Sequence, residues 1–115
     1  MTLVDVLHLI GATSLLAYGL ASMIRPRWVA SLLEHGLFSG RGVSEFRVAH
    51  GGGMIGLSLI AIYSNNPLVY QLVGWGWIGA AVVRLLAYLP DRPKITADYL
   101  VFLMTEIVLG VFLLW

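Results

Sequence analysis

Apolar residues fall in four blocks, 3–24, 46–63, 68–89 and 95–115, each of the roughly 17 to 25 residues needed to cross a bilayer. The blocks are continuous, without the two-residue alternation of barrel strands. Backbone amides in hydrocarbon must find partners within their own segment, so all four read as helices. The expected fold is all-α, an integral membrane four-helix bundle in one transmembrane domain. The first block resembles a signal peptide superficially, but Asp5 replaces the usual basic residues and the apolar run exceeds a typical signal core, so it is read as a span.

The boundaries carry local signals. Arg25-Pro26-Arg27 stops the first span, Ser44 is positioned to cap the second, Asn66-Pro67 starts the third, and Pro90 with Pro93 brackets the turn before the last. Between the first two spans, Trp28, Val29, Leu32 and Leu33 recur at helical spacing, with Ser31, Glu34 and His35 opposite and Gly36 following. A short interfacial helix is expected there, with Trp28 as its anchor or, alternatively, as a lid that gates the site.

Composition narrows the function classes. The chain is 59% hydrophobic and 11% charged, against roughly 25% charged in soluble domains, and its net charge of +1 argues against nucleic acid as a partner. With no cysteine there is no disulfide, thiol nucleophile or zinc-thiolate site. Arg25, Arg27 and Arg41 precede the second span and Arg92 and Lys94 precede the fourth, while both termini and the 64–67 loop lack basic residues. This bias puts both termini outside and the basic loops in the cytoplasm.

Polar residues inside the blocks define the candidate site. Span two enters from the cytoplasm with Glu45, Arg47 and His50, span three leaves with Arg84, and span four enters with Asp98, so five ionisable groups are expected in one inner-leaflet layer. Glu106 lies ~16 Å into the fourth span. Charged side chains in hydrocarbon cost about 2.5 to 3.5 kcal/mol on insertion scales, which demands compensation. Arg84 and Glu106 differ in depth by roughly 9 Å, but helical side chains lean toward their own N-termini and the two spans run oppositely. The pair should meet, either as a structural ion pair or with Arg84 holding an anionic group and Glu106 handling its proton.

Arg47, His50 and Met54 share one face of span two, and Glu45 shares the opposite one with Gly52 and Gly56. Glu45 reads either as an anion at the positive end of the helix or as a proton-exchanging group. Gly51-Gly52-Gly53 and Gly56 in span two, and Gly76, Gly79, Ala80 and Ala87 in span three, are expected at close helix contacts or, alternatively, over a cavity for a lipid tail or flat ligand. Asp5 and His8, one turn apart, lack a third metal ligand at their depth, so no metal or other cofactor is expected. Tyr63, Tyr70, Trp75, Trp77 and Trp115 form an expected outer aromatic belt.

The ordered set Glu45-Phe46-Arg47-Val48-Ala49-His50-Gly51-Gly52, Arg84, Asp91-Arg92-Pro93 and Glu106 resembles the small bacterial membrane family termed domain of unknown function 4345, over essentially the whole chain. The general plan is also similar to that of DoxX-like proteins. His50 stands where the family usually has an aromatic, and the Asp91 turn lacks its glycine. The resemblance implies a four-helix protein of the bacterial inner membrane and a site around these motifs, with no implied activity. Three functions are compatible: a site for a small amphipathic molecule or lipid with an anionic or carbonyl head, a dimeric proton-coupled transporter, and an accessory subunit of a larger membrane complex. In the first, Arg47, His50 and Arg84 bind the head and Glu45 or Glu106 exchanges protons.

Overall fold

The computed structural model describes all 115 residues and contains helices and turns but no strand. Four helices are long and apolar enough to span a membrane: α1 (Leu3–Ile24), α3 (Gly40–Ser64), α4 (Pro67–Asp91) and α5 (Ala97–Leu114). The short α2 (Pro26–Leu32) follows α1. This is the all-α, four-span architecture that the apolar blocks predict.

Helix ends follow capping chemistry more closely than apolarity. Pro26 opens α2, where its missing N–H costs nothing. The Asn66 side chain accepts from the Leu68 N–H at 2.9 Å, Pro67 follows it, and α4 ends past Pro90 with Arg92 in the left-handed region at φ 45°. Thr96 Oγ1 accepts from the Tyr99 N–H at 3.2 Å, so α5 begins two residues later than its apolar block. The larger difference is in α3. Ser39, not Ser44, is its cap, accepting from the Gly42 N–H at 3.0 Å, and the helix starts six residues before the apolar run. Glu45 therefore lies in the second turn and loses the first-turn position expected for it at the helix dipole.

Within α3, residues Arg47–Gly53 are wound as a π-helix. Each i→i+5 turn takes up one more residue than an α-turn, so faces before and after it cannot be projected on one regular wheel. Three of its seven residues are glycines, which bring no side-chain packing to hold the tighter winding.

The chain divides into two compact units. The first joins Met1–Gly11 to Asn65–Trp115. Its core contains Tyr70, Val73, Ala81, Leu109 and Leu113, and glycines bring α4 and α5 together. A Cβ on Gly74 would lie 3.1 Å from the Gly110 carbonyl oxygen and 3.0 Å from Leu113 Cβ, and one on Gly110 would lie 2.8 Å from Ile78 Cγ1. His8, only 4% exposed, stacks on Tyr70 with ring centroids 4.5 Å apart.

The second unit, Ala12–Ser64, holds the rest of α1 with α2 and α3. A Cβ on Gly19 would stand 3.0 Å from the Gly51 oxygen, and one on Gly51 would stand 3.1 Å from Met23 Cβ. Val29 and Ala30 of α2 bury against Phe46, flanked by Tyr18, Ala21, Leu33 and Leu37. Trp28 and Leu32 point away from this cluster and are exposed, so the expected short helix is present but packs with a different face from the expected Trp28, Val29, Leu32, Leu33 one.

The expected glycine contacts are corrected by these packings. Gly51 of the expected run does sit at a close approach, as do Gly19, Gly74 and Gly110 outside the expected sets, but Gly52, Gly56, Gly76 and Gly79 meet nothing within 4 Å of an added Cβ. The aromatic belt is also smaller than expected. Tyr63, Trp75 and Trp115 are exposed, but Tyr70 is buried in the first unit and Trp77 has an indole N–H buried without a partner.

Candidate functional site

Arg84 of α4 and Glu106 of α5 meet as their opposed lean predicts. Arg84 Nε donates to Glu106 Oε2 at 2.9 Å and Nη2 donates to Oε1 at 2.6 Å. Glu106 is buried and Arg84 partly so. The two parallel bonds match the planar guanidinium fork to the planar carboxylate, the geometry in which a charged pair best offsets its desolvation. Tyr99 and Phe102 present their rings 5.6 and 6.0 Å from Arg84 Cζ, and the Tyr99 hydroxyl donates to the Arg84 carbonyl at 3.3 Å. Both carboxylate oxygens are thus engaged by one residue, in surroundings that suit a fixed cation.

The second unit has a different cluster, built on α3. Phe46 and His50 are one turn apart and stack nearly parallel, with centroids 4.2 Å apart and an 8° interplanar angle. Tyr18 of α1 shares a 2.8 Å hydrogen bond with His50 Nδ1. His35, in the segment after α2, places its ring edgewise to both Phe46 and His50 at 6.2 Å. When the tyrosine is the donor, Nδ1 accepts and Nε2 carries the imidazole proton. His50 Nε2 has no hydrogen-bond partner in the protein.

Arg47 precedes His50 by three residues and is exposed. Its side chain makes neither an ion pair nor a hydrogen bond within the protein. Glu45 does not supply its counter-charge. That carboxylate faces Arg41 at 3.7 Å in a pair exposed on both sides, the kind of contact that contributes little.

Arg47 and His50 lie in one unit, and Arg84, Asp98 and Glu106 in the other. Asp98 is an exposed residue in the first turn of α5. Sequence reasoning missed Tyr18, His35 and Phe46. The one-turn spacing of Phe46 and His50 was a readable signal for their stack, since such pairs are neighbours on a helix surface. Tyr18 and His35 reach His50 through tertiary packing that no spacing announces. Asp5 accepts from the Thr2 backbone, and His8 is engaged by Tyr70 with its Nε2 buried and unpartnered.

Comparison with family models, with curated proteins and with solved structures gives no match to this chain.

Proposed function

We propose that this chain is a membrane-embedded binding protein for a small single-chain amphipathic molecule whose head is anionic or carbonyl. Arg47 and the Nε2–H of His50 read the head. The observation that carries the reading is the contrast between the arginines. Arg84 has a carboxylate on two of its nitrogens, whereas Arg47, in an apolar helix, has no counter-charge in the protein. An arginine near a helix end extends its stem toward the interface and places its charge at head-group depth. His50, three residues after Arg47, is held in orientation by Phe46 and Tyr18, so when the tyrosine is the donor its Nε2–H is preorganised.

In this reading Arg84 and Glu106 are structural and hold α4 to α5. Their complete mutual pairing is also what an accessory subunit of a larger complex would show, and it favours that second reading for the first unit. A location in the bacterial inner membrane rests on the resemblance of the motifs, and both termini outside on the basic bias of the 25–41 and 92–94 loops. A DoxX-like plan belongs to the same reading.

The test is equilibrium binding of oleate and of oleyl alcohol to the purified chain in neutral nanodiscs. Oleate should bind and Arg47→Gln should weaken it about tenfold or more, the loss of a charge-assisted hydrogen bond. Oleyl alcohol, which shares the tail, should bind weakly and be insensitive to the change. Equal affinities for the two probes, or an Arg47→Gln variant with unchanged oleate affinity, would refute the reading.

A further inference from the structure

The segment joining α1 to α3 has two kinds of surface that together specify one occupant. Val29 and Ala30 turn inward to Phe46, which leaves Trp28 56% exposed and Leu32 37% exposed on the outer side of α2. Phe38 is 97% exposed. Arg27 Nη1 donates to the Leu37 carbonyl at 3.1 Å, so the residues leading to Phe38 are fastened to the first turn of α2. The aromatic residues are therefore displayed by an ordered segment.

The same stretch carries Arg25, Arg27 and Arg41 against a single acidic residue, Glu34. The nearest further carboxylate is Glu45, 3.7 Å from Arg41 in an exposed pair. Because α1 ends at Ile24 and α3 starts at Gly40, this basic and aromatic segment lies where two spanning helices emerge. An acidic protein or a nucleic acid would satisfy the arginines and leave Trp28, Leu32 and Phe38 in water. A neutral bilayer would take the aromatics and leave the arginines without anions.

We propose that residues 25–41 form a docking surface for anionic phospholipid, with Trp28 and Phe38 in the head-group boundary and Arg25, Arg27 and Arg41 on lipid phosphates. The loop then acts as a lipid-selective anchor for the α1–α3 hairpin. The surface is separate from the Arg47 and His50 reading and holds whether or not that reading survives.

The experiment places the full chain in phosphatidylcholine nanodiscs doped with a minority of chain-brominated phosphatidylglycerol or chain-brominated phosphatidylcholine. Trp28 emission is isolated as the difference between wild type and Trp28→Phe. Quenching should be stronger with the anionic lipid. It should fall to the neutral-lipid level at ~1 M salt, where the screening length is only about 3 Å. Local enrichment of the anionic lipid should drop roughly fivefold for each arginine changed in the series Arg25→Gln, Arg27→Gln and Arg41→Gln. The corresponding triple lysine variant should keep most of the preference, which separates loss of charge from loss of fold. Equal quenching by the two lipids in wild type, a preference that survives the triple glutamine change, or a lysine variant as indifferent as the glutamine one would overturn the proposal.

Discussion

Arg84 and Glu106 join α4 to α5 through two parallel hydrogen bonds of 2.9 and 2.6 Å, with the carboxylate buried. Removing one partner is not equivalent to removing the other. A guanidinium stays charged, while a carboxyl group can become neutral by holding a proton. Glu106→Gln should therefore destabilise the protein by about 3 to 5 kcal/mol, Arg84→Leu by less, and the double change should recover much of the loss. Unfolding midpoints of the three variants in one detergent check this, and strictly additive effects would count against a buried, mutually dependent pair.

Glycine substitutions should follow the observed contacts rather than the glycine spacing. Gly51→Leu faces Met23 at 3.1 Å from its first carbon, and Gly74→Leu faces the Gly110 carbonyl at 3.1 Å. Each should lower stability by ~1 to 3 kcal/mol or more, because the obstacle is backbone or a helix-bound Cβ. Gly52→Leu, with open space before it, should be close to neutral. Thermal unfolding in detergent distinguishes these outcomes.

The start of α3 gives a local prediction. Ser39→Ala removes the acceptor of the Gly42 N–H and should cost about 1 kcal/mol, whereas Ser44→Ala should cost little. Amide exchange at Gly42 should accelerate severalfold in the first variant and stay unchanged in the second.

The four spans were legible because hydrocarbon imposes a length and a composition that a single sequence displays directly. The Arg84–Glu106 contact was legible for a related reason: two charges deep in apolar helices have few alternatives to each other. The packing faces were not. Gly52 and Gly56 satisfy a small-residue spacing, yet within that glycine run the contact falls on Gly51, inside the π-helical stretch that breaks the regular projection. The cap of α3 was misplaced because Gly40 to Ser44 are too polar to register as span, although Ser39 carries a capping hydroxyl. The surroundings of His50 depend on Tyr18 and His35, which lie 32 and 15 positions away and reach it only through the fold.

Tyr18→Phe should leave the fold intact, since the ring and its packing remain, but should release His50 Nδ1. Oleate affinity should drop about fivefold, with no change for oleyl alcohol, as expected when one neutral hydrogen bond that orients a binding group is lost. Unaltered oleate affinity would show that His50 needs no such support.

The most direct measurement for the central claim is the imidazole nitrogen spectrum of the 15N-histidine-labelled chain titrated with oleate. His50 is assigned by its loss in His50→Phe, leaving His8 and His35 as internal references. The His50 Nε2 resonance should shift saturably with oleate, and in Arg47→Gln the midpoint should move to about tenfold higher concentration. A His50 signal that stays in place through saturating oleate, or that shifts identically with oleyl alcohol, would contradict the assignment of Arg47 and His50 as the site that reads the head group.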